Sequence, residues 1–156
     1  MAREVGAIHS AVSGLLDNRG VILLFDRKSV DADQALCASA LLQSLLEEFE
    51  TDGEFRCYLD TASCQGAPTE LNDDEFAALI DEMNWEDPLV IAAMAKPGAI
   101  LFSETVARAL GGRDWVAEFQ HPMLDDRGGA SYVVEALPDA MAELVTRQSR
   151  LILGFS

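Results

Sequence analysis

Residues 92–110 read Ala-Ala-Met-Ala-Lys-Pro-Gly-Ala-Ile-Leu-Phe-Ser-Glu-Thr-Val-Ala-Arg-Ala-Leu, and this segment contains the sharpest changes of secondary structure in the sequence. The Lys-Pro-Gly triplet at 96–98 predicts a turn, because proline fixes φ and glycine accepts unusual backbone conformations. The apolar residues 99–102 predict a short buried strand. Ser103 is a helix-capping residue, and Gly111 stops the helix that follows. The segment therefore predicts a turn, a strand and a helix in direct succession.

Downstream of this segment the sequence predicts a hairpin and a final helix. Residues 115–121 and 131–137 mix apolar and polar side chains in the alternation of half-buried strands. The Asp- and Gly-rich turn 125–129 between them predicts a β-hairpin. Pro138 ends the second strand, and residues 139–156 predict a C-terminal helix with an apolar tail.

The strongest helical pattern lies upstream, between Asp31 and Phe49. Asp31 and Gln34 have the spacing of a capping box, in which each side chain accepts the other residue's backbone N–H. The apolar residues that follow at helical spacing are Leu36, Ala38, Leu41, Leu42, Leu45, Leu46 and Phe49. Before this helix, the run Val-Ile-Leu-Leu-Phe at 21–25 predicts a strand buried on both faces. Residues 5–16 fit a strand, which we favour, or a short helix.

Three further elements complete the pattern. Residues 55–59 predict a strand, and Asn72 opens a helix by the same capping spacing. The Asp-Pro pair at 87–88 predicts a cap and a first-turn proline for a helix that ends near Ala95. Helices interleaved with short strands and hairpins predict an α+β fold, a ferredoxin-like sandwich with a largely antiparallel sheet and helices on one face. We expect a single domain over residues 1–156.

Composition limits the classes of function. The chain has 156 residues, 49% of them hydrophobic, so it can bury one core. It has 11 Lys and Arg against 27 Asp and Glu, a net charge of −16. This charge argues against binding to nucleic acid or to an anionic membrane, since both need clustered basic side chains. We find no secretion signal and no apolar run near the ~20 residues of a membrane span, and the odd cysteine count fits a reducing compartment. We therefore expect a cytoplasmic protein.

The pattern Ala-x-Pro-Gly-x-Ile-x-x-Ser-x-x-Val at 95–106 resembles the last third of the class III nucleotidyl cyclase homology domain, found in adenylate and guanylate cyclases. In that family a helix leads into this pattern, and a strand, a helix and a closing hairpin follow. Residues 132–137 resemble the closing strand. Residues 20–49 resemble the strand–helix unit before the family's fourth strand, and residues 55–61 resemble that strand.

The resemblance implies attack of the ribose 3′-hydroxyl on the α-phosphorus of a nucleotide, assisted by two divalent metals on two aspartates. In that family, an Asn and an Arg on the helix before the Pro-Gly turn orient the ribose and stabilise the developing charge. In this chain those two positions fall on Glu86 and Val90. One metal aspartate falls on Arg19, and the adenine-binding lysine falls near Leu15. None of the four residues has the chemistry of the family role, so we assign no catalytic and no cofactor-binding residue.

These differences favour a degenerate, non-catalytic cyclase-like domain that serves as a regulatory, dimerisation or partner-binding module in signalling. The partner would be another protein or a second copy of the chain. Apolar residues of the last helix offer a surface for it, or pack on their own domain: Met141, Leu144, Val145, Leu151, Ile152, Leu153 and Phe155. The alternative is a divergent active cyclase that converts ATP or GTP to a cyclic nucleotide and pyrophosphate. A third hypothesis is an unrelated α+β partner-binding protein.

Asp26 and Asp60 are the candidate metal ligands. Each follows a predicted strand, and carboxylates at neighbouring strand ends can share a divalent cation. In the active alternative that cation is Mg²⁺ or Mn²⁺. The competing interpretation is that each carboxylate caps its own turn.

Other polar features have weaker functional patterns. The acidic cluster at 70–87 predicts a solvated helix face, with a surface for a basic partner or calcium as the alternative. His9 and His121 are the two imidazoles, and no serine or cysteine motif accompanies His121. The glycine pairs in 111–113 and 127–129 predict turns in preference to phosphate-binding loops, since no lysine-containing phosphate loop surrounds them.

Overall fold

The computed structural model describes residues 1–16, 20–49, 53–63, 68–124 and 130–154. Within these ranges the elements are α1 Ala2–His9, β1 Ala11–Leu16, β2 Gly20–Phe25, α2 Ala32–Phe49, β3 Cys57–Leu59, a 3-10 turn Pro68–Glu70, α3 Asp73–Glu82, α4 Glu86–Met94, β4 Ile100–Ser103, α5 Glu104–Leu110, β5 Val116–Glu118, β6 Ser131–Val134 and α6 Asp139–Leu153.

The strands form two sheets. The larger has the order β3-β4-β6-β5, in which β3 and β4 are parallel and the other two pairings are antiparallel. The smaller is the antiparallel hairpin of β1 and β2, with Gly14 opposite Ile22. The fold is therefore α+β with mostly antiparallel pairing, as the sequence predicts. The C-terminal hairpin is also confirmed, with β6 between β5 and β4.

Side chains of the large sheet alternate between two apolar layers. Ile100 and Phe102 of β4 belong to the main core, whereas Leu101 between them belongs to a cluster on the other face. This is the period of two that a strand imposes, since successive side chains point to opposite faces. The ring of Phe102 also stacks on Tyr132 of β6 at a centroid distance of 6.4 Å. The sheet is therefore covered on both sides.

The main core lies under α2, whose Leu36, Leu41 and Leu45 are fully buried. Each buried leucine side chain contributes about 1.5–3 kcal/mol by leaving water. Helices α1, α5 and α6 pack on the same cluster, but α4 packs on the other face, so the prediction of helices on one face only is wrong. Helix α4 is an addition on the opposite face, where Ile91 packs with Leu101.

Capping confirms the predicted starts of two helices. The Gln34 N–H donates to Asp31 Oδ1 at 2.8 Å, and the Asp31 N–H donates to Gln34 Oε1 at 3.1 Å. Asn72 and Glu75 make the same reciprocal pair at the start of α3. Both helices begin where their boxes predict because these side chains satisfy backbone donors that have no partner within the helix.

The N-terminal region differs from the favoured prediction of one strand over 5–16. It contains α1 and then β1, separated by Ser10 in the left-handed conformation with φ of 56°. Val5 and His9 are buried one helical turn apart. This spacing matches the period of a helix, which explains why the segment is helical and not a strand. The prediction of a strand buried on both faces at 21–25 is also wrong at its start. Val21 is 37% exposed, because a two-stranded sheet has too little covering structure.

Helix α6 packs on α2 with Val145 buried, so its apolar face serves mainly its own domain. Leu144 and Leu151 remain exposed, Leu151 at 71%. Phe155 lies outside the described residues. In the part of the chain that the structure describes, no helix combines the length and apolar character needed to cross a membrane.

Candidate functional site

A cleft of about 820 Å³ lies between the β1–β2 hairpin and the α3–α4 region. One wall is β1, through Val12, Ser13 and Gly14. The facing wall is α3 and the turn that leads into α4. The cleft is open to solvent and is not an enclosed cavity.

The β1 wall is one face of the hairpin. Successive residues of a strand point to opposite faces, so Val12 and Gly14 share a face and Ser13 lies between them. The Gly14 face is the one that Phe76 of α3 approaches. Among the described residues β1 pairs with β2 alone, and the 3-10 turn Pro68–Glu70 also contacts β1.

Gly14 controls how closely α3 approaches β1. A Cβ atom at this position would lie only 2.4 Å from the ring of Phe76 on α3. Any other residue would therefore push the ring away. Behind Phe76, Ile80 of α3 is buried against Ile22 of β2, and Trp85 packs on this cluster. The absent side chain of Gly14 thus lets an aromatic ring rest directly on the strand.

The turn between α3 and α4 is fixed by side-chain hydrogen bonds. The indole Nε1–H of Trp85 donates to the Ile80 carbonyl at 2.7 Å. The side-chain oxygen of Asn84 accepts from the Glu86 N–H at 3.2 Å, and its Nδ2 donates to Asp87 at 3.0 Å. Helix α4 accordingly starts at Glu86, just before the predicted Asp-Pro cap, with Trp85 as the N-cap residue.

The rim of the cleft is acidic. Asp73, Asp81 and Glu86 border it and are exposed. From Cys57 to Ala95 the chain contains no Lys, Arg or His. None of the ion pairs formed among the described residues involves the three rim carboxylates. Among the described residues the cleft therefore combines an acidic rim without ion pairs and an apolar wall.

Asp26 and Asp60 use their carboxylates locally. Asp26 Oδ1 accepts from the Lys28 N–H at 3.0 Å, and Asp60 Oδ1 accepts from the Thr61 N–H at 2.7 Å. Asp26 follows β2 in the hairpin, and Asp60 follows β3 in the large sheet. Within the described ranges no group of three or more His, Cys, Asp or Glu side chains could hold a metal ion. A metal role for the pair stays a prediction, and we derive no chemical step from it.

Of the positions that the sequence pattern compares with cyclase catalytic residues, Glu86 and Val90 lie on α4 and Leu15 lies in β1. Glu86 is exposed at the start of α4 and borders the cleft. Val90 is a half-buried residue farther along α4. Leu15 pairs with Val21 in the hairpin, and Arg19 lies outside the described residues.

The histidines and cysteines have structural surroundings. His9 is buried and its Nε2 lies 2.9 Å from Gln148 Oε1, which joins α1 to α6. His121 Nδ1 accepts from the Met123 N–H, which places this ring at the end of a chain turn. Burial raises the pKa of the Cys57 thiol to about 11, so its nucleophilic thiolate is disfavoured at neutral pH. The predicted turn 125–129 lies outside the described residues.

Sequence reasoning identified the acidic cluster at 70–87 but not the cleft that it borders. The sequence did not predict the wall made by Val12 and Gly14, because the apolar residues of 5–16 follow neither the helical nor the strand period. An available signal was the apolar stripe of Phe76 and Ile80 beneath that acidic cluster. The position of this stripe predicts that one face of α3 is buried, but it does not predict that β1 is the strand on which that face packs.

In comparisons with known proteins, no protein-family model, curated protein or solved structure matches this chain significantly. The resemblance to nucleotidyl cyclases therefore stays a prediction. Function has to be inferred from the cleft itself.

Proposed function

We propose that this protein is a non-catalytic, cyclase-like regulatory module that binds a protein partner in the cleft between β1 and α3. The observation that carries the proposal is the combination of an apolar wall and an acidic rim in one cleft. A rim of one charge favours a partner surface of the opposite charge. A role in signalling is the expectation that the family resemblance adds.

The electrostatics of the cleft favour a protein over a nucleotide. ATP and GTP carry several negative charges, and Asp73, Asp81 and Glu86 would repel them. Glu86 stands where the cyclase pattern has an asparagine, and Val90 stands where it has an arginine. Neither side chain can donate to a phosphate oxygen. These residues support binding without nucleotide chemistry.

A second copy of this chain is a less suitable partner for the cleft. Its charge of −16 is the same sign as the rim. The exposed Leu144 and Leu151 lie on α6 and are not among the residues that line the cleft. We therefore favour a different protein as the partner.

The test of the non-catalytic part is a turnover assay. The full chain is incubated with ATP or GTP and with Mg²⁺ or Mn²⁺, and cyclic products are measured by mass spectrometry. We expect none from a sample whose circular dichroism shows a folded protein. Cyclic AMP or cyclic GMP that is lost in Asp26→Ala or Asp60→Ala, but kept in Asp114→Ala as an exposed control, would contradict the proposal and support an active cyclase.

A further inference from the structure

We propose that α6 pairs with α6 of a second copy of this chain, antiparallel and about a two-fold axis, through the face that it turns away from its own domain. This inference goes beyond the proposed function, because none of the described residues that line the cleft lies on α6. It follows from the residue spacing and the order of charges along one helix.

The inner face of α6 packs on its own domain. Met141, Val145, Gln148 and Ile152 form this face and are four, three and four residues apart. Val145 is buried, and Met141 and Ile152 pack on the main core. Gln148 Oε1 lies 2.9 Å from Nε2 of the buried His9. The spacing is that with which one helix packs along another.

The outer face of α6 repeats the same spacing. It consists of Ala140, Leu144, Arg147 and Leu151, again four, three and four residues apart, and all four are exposed. Leu151 is 71% exposed. A helix on the surface of a single domain needs only one apolar face. A second face with this spacing indicates a second helix that packs along α6.

The order of charges along α6 favours a second copy of the same chain as that partner. Asp139 and Glu143 lie in its N-terminal half, Arg147 and Arg150 lie in its C-terminal half, and all four are exposed. None of the ion pairs formed among the described residues involves them. When two such helices pack antiparallel, the acidic half of each faces the basic half of the other. A parallel pair would place like charges together.

The charge of the whole chain restricts where two copies can meet. A net charge of −16 opposes self-association. Helices α2, α3 and α4 contain acidic side chains and no Lys or Arg. Helix α6 contains two acidic and two basic side chains, which balance. Two copies therefore repel each other less through α6 than through these three helices.

One register of the antiparallel pair satisfies the spacing of the outer face. Leu144 of one copy packs on the aliphatic stem of Arg147 in the second copy, which places the two-fold axis between residues 145 and 146. Leu151 then lies against Ala140 of the second copy, whose small side chain leaves room for the leucine.

The same register pairs the charges. Glu143 comes to the level of Arg147 of the second copy, and Asp139 comes to the level of Arg150 of the second copy, each within about 3 Å along the helix axis at ~1.5 Å per residue. The two-fold axis repeats both pairs, because such an interface uses the same surface of each subunit.

The contact is small. Helix α6 has 15 residues and is about 22 Å long at ~1.5 Å per residue. One helix pair of this length falls short of the ~800 Å² per partner of a standard interface. We therefore expect a weak dimer that forms reversibly as the protein concentration rises.

The first test is sedimentation velocity of the full chain between about 5 and 500 μM, with amide chemical shifts recorded by NMR over the same range. We expect monomer to convert to dimer, and the shifts that change with concentration to lie in α6. A chain that stays monomeric at the highest concentration would overturn the inference. A dimer whose shifts lie outside α6 would overturn it as well.

Charge reversal tests the pairing of residues. Glu143→Arg alone should weaken self-association by at least about 10-fold, because it replaces attraction by repulsion twice in each dimer. Arg147→Glu alone should have a similar effect. An equal mixture of the two variants should recover dimerisation to within about 3-fold of the unmodified chain, since each variant supplies the charge that the other requires. Recovery also shows that both variants are folded.

The matched control is Glu104→Arg on α5, which makes the same change of net charge at an exposed position. Glu104 and Arg108 have the same four-residue spacing as Glu143 and Arg147, but they form an ion pair within the chain at 2.8 Å. The control should leave self-association unchanged. Equal weakening by Glu104→Arg and Glu143→Arg, or a mixture that stays monomeric, would contradict an α6 pair.

Discussion

The two sheets of this fold are stabilised to different degrees. The four-stranded sheet and α2 enclose a core in which Leu36, Leu41 and Phe102 are fully buried. The β1–β2 hairpin meets α3 over a smaller cluster whose buried members are Ile22 and Ile80. Burial free energy grows with the apolar area removed from water, so the large sheet sets the global stability. The hairpin region contains the cleft, and its smaller buried cluster leads us to expect that it opens more easily than the large sheet.

The largest expected effect tests this difference directly. Phe102→Ala should lower the free energy of unfolding by about 3–5 kcal/mol, because it leaves a cavity at the centre of the main core. Ile80→Ala in the small cluster should cost closer to 2 kcal/mol, the lower end for such truncations. Urea unfolding followed by circular dichroism measures both. Equal losses would show that the two regions are one cooperative core.

A smaller effect is expected where β1 meets α3. Gly14→Ala should lower stability by about 1–3 kcal/mol, because the added Cβ would lie 2.4 Å from the Phe76 ring. Gly20→Ala in the same hairpin is the control, since its Cβ would meet nothing within 4 Å. Phe76→Ala should remove most of the penalty of Gly14→Ala in a double-mutant cycle. A penalty that persists without the Phe76 ring would contradict this origin.

The smallest effect compares the two capping boxes. Asp31→Ala and Asn72→Ala each remove one cap, worth about 1 kcal/mol. At α2 this loss should lower the global midpoint of urea unfolding. At α3 it should appear mainly as faster amide exchange within α3. The same drop in global midpoint for both variants would argue against separate local opening of the cleft.

The sequence predicts the fold well where local chemistry decides the structure. The boxes at Asp31 and Asn72 and the cap at Ser103 place three helices correctly, because each side chain satisfies its own backbone. The favoured strand over 5–16 is confirmed at Ala11–Leu16 and is wrong at 5–9, where the buried positions of Val5 and His9 depend on packing against distant elements. The cleft was beyond prediction for the same reason. Gly14 and Phe76 meet only because the chain brings the hairpin to α3.

The parallel pairing of β3 with β4 has a consequence for how this domain can vary. Cys57 and Ile100 are pairing partners, so the crossover at 60–99 starts and ends on neighbouring strands ~4.8 Å apart. That crossover carries α3 and the acidic rim, while most of the main core lies outside it. The crossover also contains α4, whose Ile91 packs with Leu101 on the second face of the large sheet. A replacement crossover would therefore have to supply a new apolar cover for that face, while the main core stayed in place.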